Sequence, residues 1–224
     1  MTPALAIPTS LAAIDREGFA AFVLRMRAAG IGDKALLEAI EATPRRAFVD
    51  PQYHDAAWSS RTIPIDCGET IEGLDQQALI LSALGLEPQN RVLEIGTGSG
   101  YTAAVMGAMV KRVYTIERFA RLHQAAQARF RALKRDNVIA SQADGAAGST
   151  EGPFDRIVVW PAMEALPRGF SDLVVPGGII VCPVGEGDGR QVLVRLTKVG
   201  NRFEREDIGT VRVQPMASGL PSAL

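Results

Sequence analysis

The sequence predicts an α/β fold built on a mostly parallel sheet, and three observations predict it. A short β-branched apolar run, Arg91 to Ile95, breaks into Gly96, Gly98 and Gly100 and then a helix-forming stretch, Thr102 to Val110. That is a strand, a tight turn and a helix N-terminus. Glycines suit it because the turn needs positive φ and a ligand must approach bare backbone. A second strand, Arg112 to Ile116, runs into Glu117, about twenty residues past the turn, where nucleotide-binding folds place an acid for ribose hydroxyls; a glutamate favoured by a helix N-terminus reads the same way. A third strand, Asn137 to Ser141, leads to Gln142-Ala143-Asp144-Gly145. Open α/β sheets bind ligands at such carboxyl ends, although Asp-Gly is also an ordinary turn.

The glycine turn supports two cofactor frames. From Gly98 the chain reads G-x-G-x-x-A, the dinucleotide pattern of an NAD-type oxidoreductase. From Glu94 it reads E-x-G-x-G-x-G, which is similar to the motif of S-adenosylmethionine-dependent methyltransferases. The apolar strand ends at Ile95 and Gly96 opens the turn, which favours the second frame.

Length and composition bound the rest. With 224 residues, 47% of them hydrophobic, the chain suffices for one sizeable core. The net charge of −1 writes no global attraction to nucleic acid or membrane into the composition. Arg118, Arg121, Arg129, Arg131, Lys134 and Arg135 fall on one predicted helix and read as a solvated face or a basic patch. Cys67 and Cys182 are far apart in sequence and match no metal-ligand spacing, so reduced thiols, no metal site and a cytoplasmic location are expected. No secretory leader or membrane span is expected either. Oligomeric state is not legible.

Before the glycine turn, residues 1–16 read as a loose arm. Phe19, Phe22, Val23 and Met26 set a helix from Gly18 to Ala29; Asp33 caps a second, Lys34 to Ala42, which Pro44 stops. Residues 45–74 carry aromatics, prolines and polar groups without periodicity and read as a functional loop. Asp75 caps a helix, Gln76 to Leu84, closed by Gly85. These segments divide a single domain into the arm, a helical cap with substrate loop (17–74) and a cofactor-binding core (75–217). Beyond the third cofactor strand, Arg156 to Trp160 is a buried parallel strand ended by Pro161. A helix or loop, Met163 to Leu173, leads to a strand from Ile179 to Val184. Gln191 to Val199 and Glu204 to Gln214 form an antiparallel hairpin around Gly200, and Ser218 to Leu224 reads as frayed.

Taken together, the residues resemble the protein-L-isoaspartate (D-aspartate) O-methyltransferase family. The resemblance rests on Val92 to Tyr101, Val113 to Arg118, Arg46-Ala47-Phe48-Val49, Pro153 to Val159, Pro176-Gly177-Gly178 and Cys182-Pro183-Val184-Gly185, and spans roughly residues 20–216. It implies a three-layer, Rossmann-like methyltransferase fold with a largely parallel seven-stranded sheet, S-adenosyl-L-methionine as cofactor, and isoaspartyl residues of damaged proteins or peptides as substrate. It also implies a cofactor set of Thr70, Ile71, Glu94, Gly96, Thr97, Gly98, Ser99, Gly100, Glu117, Arg118, Asp144 and Gly145.

The substrate loop departs from the family pattern. Where the family has Pro-Ile-Gly and then Gly-Gln-Thr-Ile-Ser-Gln-Pro, this chain has Pro64-Ile65-Asp66 and then Gly68-Glu69-Thr70-Ile71-Glu72-Gly73-Leu74. Glu72 thus occupies the position of a serine placed at the reacting centre, and Trp160-Pro161-Ala162 replaces Thr-Ala-Ala. An isoaspartyl carboxylate is already anionic near neutral pH and needs alignment rather than a base. A glutamate there would repel it, would suit an amine or hydroxyl nucleophile, or would turn outward to pair with Arg61. A paralogue acting on another small nucleophile, or a cofactor-binding protein acting through a partner, stays open. His54 and His123 read as surface or packing residues.

Overall fold

The computed structural model describes residues 13–187 and 189–221. Helix α1, Ala13–Ala28, begins before the predicted Gly18. Gly18 lies inside it because a Cβ there would sit 2.6 Å from the Trp58 ring; the glycine is a packing residue rather than a boundary. The expected arm is therefore shorter by four residues, its remainder lying outside the described residues. Asp15, in the first turn of α1, accepts from Trp58 Nε1 at 2.8 Å and pairs with Arg46 Nε at 2.9 Å.

Helix α2, Lys34–Glu41, is capped as predicted, the Asp33 side chain accepting from Leu36 N. The expected long loop is shaped by 3₁₀ turns, Arg45–Phe48 and Pro51–Ala56, and by a two-stranded antiparallel ribbon of β1, Ile63–Pro64, and β2, Thr70–Ile71. Helix α3, Leu74–Leu84, starts from Gly73, and Gly85 closes it at φ +57°. Asp75 is not the cap; both of its carboxylate oxygens accept from Arg25 of α1 at 2.8 Å.

The core alternates β3 (Arg91–Ile95), α4 (Tyr101–Gly107), β4 (Arg112–Glu117), α5 (Ala120–Ala132), β5 (Val138–Gln142), β6 (Phe154–Val159), β7 (Val174–Val184), β8 (Gln191–Val199) and β9 (Arg202–Val211). The seven-stranded sheet runs β5-β4-β3-β6-β7-β8-β9. It is parallel from β5 to β7 and antiparallel through β8 and β9. Helix α4 stops three residues short of the predicted Val110, and the segment after β6 holds a single 3₁₀ turn, Arg168–Ser171.

Pleating sorts the strand residues. Val92, Val113, Val158 and Val181 join the buried faces of α1 to α5 in one core. Leu93, Ile157, Val159 and Ile180 form the other with Met163, Phe170 and partly buried Phe203, from loops and β9 rather than helices. The third layer is thus thin. The basic run is not one solvated face: α5 omits Arg118, Lys134 and Arg135, and Arg129 donates to Ala47 O and Ser99 O at 3.0 Å each. Among the described residues no helix is long and apolar enough to cross a membrane.

Candidate active site

Strand β3 lies between β4 and β6, so the chain direction of successive connections reverses there. Ligands of open α/β sheets bind in the crevice outside such a point. A cavity opens there, about 870 Å³ counting its solvent-open part. Its walls are the β3 turn, the end of β4 through Phe119, Gly145-Ala146, Trp160-Pro161, the loop holding Ile65 and Glu69 to Glu72, and residues 214–217.

The glycine turn owes its shape to β4. Gly96 N and Thr97 N both donate to Ile116 O, at 3.0 and 3.2 Å, and Gly98 N donates to Glu117 Oε2 at 2.8 Å. Gly98 has φ +54°, and a Cβ there would face Ile71 and Ile65 of the covering loop at 3.4 and 3.5 Å. Gly100, at φ +86°, is glycine for another reason: its Cβ would press on Ala126 and Phe130 of α5 at 3.0 Å. It lets α4 pack against α5, and it does not line the cavity.

Glu117 is 5% exposed, and its other oxygen accepts from Phe119 N at 3.0 Å. Burial raises its pKa, opposed chiefly by the Phe119 and Gly98 amides. Each carboxylate oxygen keeps a lone pair for a ligand hydroxyl. Two buried polar atoms beside it, Ser99 Oγ and Arg118 Nε, have no protein partner, and buried polar atoms of that kind call for a ligand or water.

Glu94 lies beneath the cavity floor and is fully buried. Pleating turns it toward the helical layer, where Thr102 and Trp160 donate to Oε1 at 2.5 and 3.0 Å and Thr115 donates to Oε2 at 2.7 Å. Burial pushes its pKa up to about 7 against those three donors. The carboxyl fixes α4, β4 and the Trp160 ring around the turn.

Glu72 also lines the cavity wall, half-buried, and makes no ion pair with Arg61. Arg45 lies behind it, 1% exposed. Its guanidinium donates to Ala57 O at 2.6 Å, Gln77 Oε1 at 2.5 Å and Glu72 O at 3.1 Å, and stacks 4.5 Å from the Tyr101 ring centre. Burial lowers the Arg45 pKa and raises that of Glu72 to about 7, the latter opposed by its own backbone N–H and by Arg45.

The family model described as protein-L-isoaspartate(D-aspartate) O-methyltransferase matches residues 10–220. This chain belongs to that family. The protein-L-isoaspartate O-methyltransferase of Rhizobium meliloti (strain 1021) is 44% identical over 202 residues, covering 90% of this chain and 99% of the relative. That of Maricaulis maris (strain MCS10) is 40% identical over 203 residues, 90% and 95% of the two chains. Among solved structures, a Plasmodium falciparum protein described as an enzyme of this name, in complex with S-adenosyl-L-homocysteine, aligns with a TM-score of 0.77 at 23% identity, over 89% of this chain and 98% of its own.

Within this isoaspartyl methyltransferase family member, the fold brings most of the sequence-derived set together. Thr70, Ile71, Glu72, Gly96, Thr97, Gly98, Ser99, Glu117, Arg118 and Gly145 line one cavity. Glu94 and Gly100 support it from beneath and behind. Asp144 stands aside: its Oδ1 caps Ala146 N at 2.9 Å and its Oδ2 accepts from Gly219 N at 2.7 Å, which also ties down part of the segment expected to fray. Sequence reasoning missed Gln214 to Ala217. Gln214 Oε1 accepts from both Thr70 N and Thr70 Oγ1 at 3.1 Å, and Gln214 lies past the end of β9, which stops at Val211, short of the expected strand end, with nothing in its neighbourhood to mark it. His123 and His54 bond backbone carbonyls of Ala140 and Arg46, away from the cavity.

Proposed function

We propose that this protein transfers a methyl group from S-adenosyl-L-methionine to the free carboxylate of isoaspartyl residues in proteins and peptides. What supports the reading is one cavity at the sheet's switch point, lined both by the glycine turn with Glu117 and by Glu72 at the position of the family's serine. The residues fit the cofactor: bare backbone at Gly96 and Gly98, the Glu117 carboxylate with spare lone pairs for ribose hydroxyls, and unpartnered Ser99 Oγ and Arg118 Nε for further polar groups. When bound, the cofactor supplies an electrophilic methyl on a sulfonium.

The chain's own task is alignment and exclusion of water. Trp160, held by Glu94, and Ile71 form part of the cavity wall. Thr70, latched to Gln214, closes the ribbon over it. In-line displacement gains most from such positioning. Methylation of an isoaspartyl peptide against its normal aspartyl twin, followed by release of S-adenosylhomocysteine, tests the reading. Turnover is expected with the isoaspartyl peptide alone; equal turnover of both, or of neither, overturns it.

A further inference from the structure

The charged groups lining the cavity are Glu69, Glu72, Glu117 and Arg118, three acids against one cation. An anionic acceptor entering that wall meets an excess of negative charge unless one acid carries a proton. Glu117 is committed to two backbone N–H groups at the cofactor end. Glu72 is the acid at the position of the family's serine, and among the described residues no cation forms an ion pair with its carboxyl. Arg45 directs its bonds to Ala57 O, Gln77 Oε1 and the Glu72 carbonyl, not to the Glu72 carboxyl.

We propose that Glu72 selects the acceptor as a carboxylic acid: protonated, it donates a hydrogen bond to the acceptor carboxylate, and ionised, it turns that carboxylate away. The inference rests on the isoaspartyl reading above. Burial supports it by holding the Glu72 pKa at about 7. The charged groups facing Glu72 are Arg45 from the 3₁₀ turn Arg45–Phe48, which favours ionisation, and Glu69 just before β2, which opposes it. Asp75 on α3 is neutralised by Arg25, and Tyr101 at the start of α4 is held neutral, burial pushing its pKa up to about 12. Proton balance is simple. The acceptor oxygen gains the methyl as the carbon–sulfur bond breaks, the sulfonium leaves as a neutral thioether, and Glu72 keeps its proton.

The test is the pH dependence of kcat/KM for an isoaspartyl peptide at saturating S-adenosylmethionine, from pH 5.5 to 9, in the native protein, Glu72→Gln, Glu72→Ser and Glu69→Gln. The native protein should lose about tenfold per pH unit above roughly pH 7, as a single required proton dictates, with KM rising more than kcat falls. Glu72→Gln and Glu72→Ser should be flat over the same range and exceed the native protein at pH 8.5, while Glu69→Gln keeps the falling limb. A flat native profile, or a falling limb that survives in Glu72→Gln, overturns the inference and leaves the isoaspartyl reading standing. If every variant binds S-adenosylmethionine by calorimetry and none methylates the peptide at any pH, the isoaspartyl reading falls and takes the inference with it.

Discussion

Glu117 holds the turn and faces the cavity at once. Its two oxygens anchor Gly98 N and Phe119 N, and their remaining lone pairs serve ribose hydroxyls in the proposed complex. Glu117→Ala should therefore weaken S-adenosylmethionine binding by about 10- to 100-fold, from about 1.5 to 3 kcal/mol of charged hydrogen bonding lost. It should also cost about 1 to 2 kcal/mol of stability, because two amides at a tight turn lose their acceptor. Titration calorimetry and urea unfolding read the two effects separately, and unchanged affinity rules out the ribose role. The acid was legible from its spacing past the glycine turn, because that spacing reflects one βα unit. Its hold on Gly98 was not, since pairing across two strand ends depends on register. Glu94 shows the same limit: an acid inside a strand marks the motif, but Thr102, Thr115 and Trp160 come from three other places in the chain.

Among the elements, those with a strong period or a cap were the legible ones. Asp33 caps α2 and Gly85 ends α3 as their chemistry dictates, and the three cofactor strands sit where β-branched runs place them. Gly100 does hold the positive φ expected of the turn, +86°, but its packing role and that of Gly18 were not legible, for a common reason. Glycine marks close approach as well as turning, and which neighbour approaches is a tertiary fact. Gly100 permits the contact of α4 with α5 at Ala126 and Phe130. Gly100→Ala combines a left-handed backbone with an overpacked contact and should destabilise the protein by about 2 to 4 kcal/mol. The urea midpoint should drop with an unchanged slope. A loss below about 0.5 kcal/mol, within the range of ordinary surface changes, would show that α5 yields and that the turn accepts a side chain at this left-handed position. The ribbon and the residues 214–217 that cover the cavity had no period to read. They are ordered by Gln214, whose partner Thr70 lies 144 residues earlier.

On the scale of the whole molecule, the fold gathers three acids around the cavity and a fourth, Glu94, beneath it, and burial raises the pKa of each: Glu69 and Glu117 upward, Glu72 and Glu94 to about 7. The unfolded chain binds these protons only up to ordinary carboxylate pH, about 4.3 for glutamate. Between that value and pH 7 the folded state holds more protons than the unfolded one, so stability falls as pH rises through the window and levels off above it. The sign is opposite to that of a salt-bridged carboxylate, whose stabilisation is lost on acidification. Glu94, fully buried, should account for a loss on the order of 1 to 3 kcal/mol across the window. Glu94→Gln removes its share without breaking the network, because the amide oxygen still accepts from Thr102 and Trp160. Its NH₂ group donates to Thr115 Oγ1, which in turn donates to Thr97 Oγ1, 2.5 Å away. Scanning calorimetry of the cofactor-free protein from pH 5 to 8 should show the native melting temperature declining toward pH 7.5 and Glu94→Gln declining less, so that the variant is the more stable of the two at pH 8. Parallel curves would mean that Glu94 is ionised throughout and that its three donors outweigh its burial.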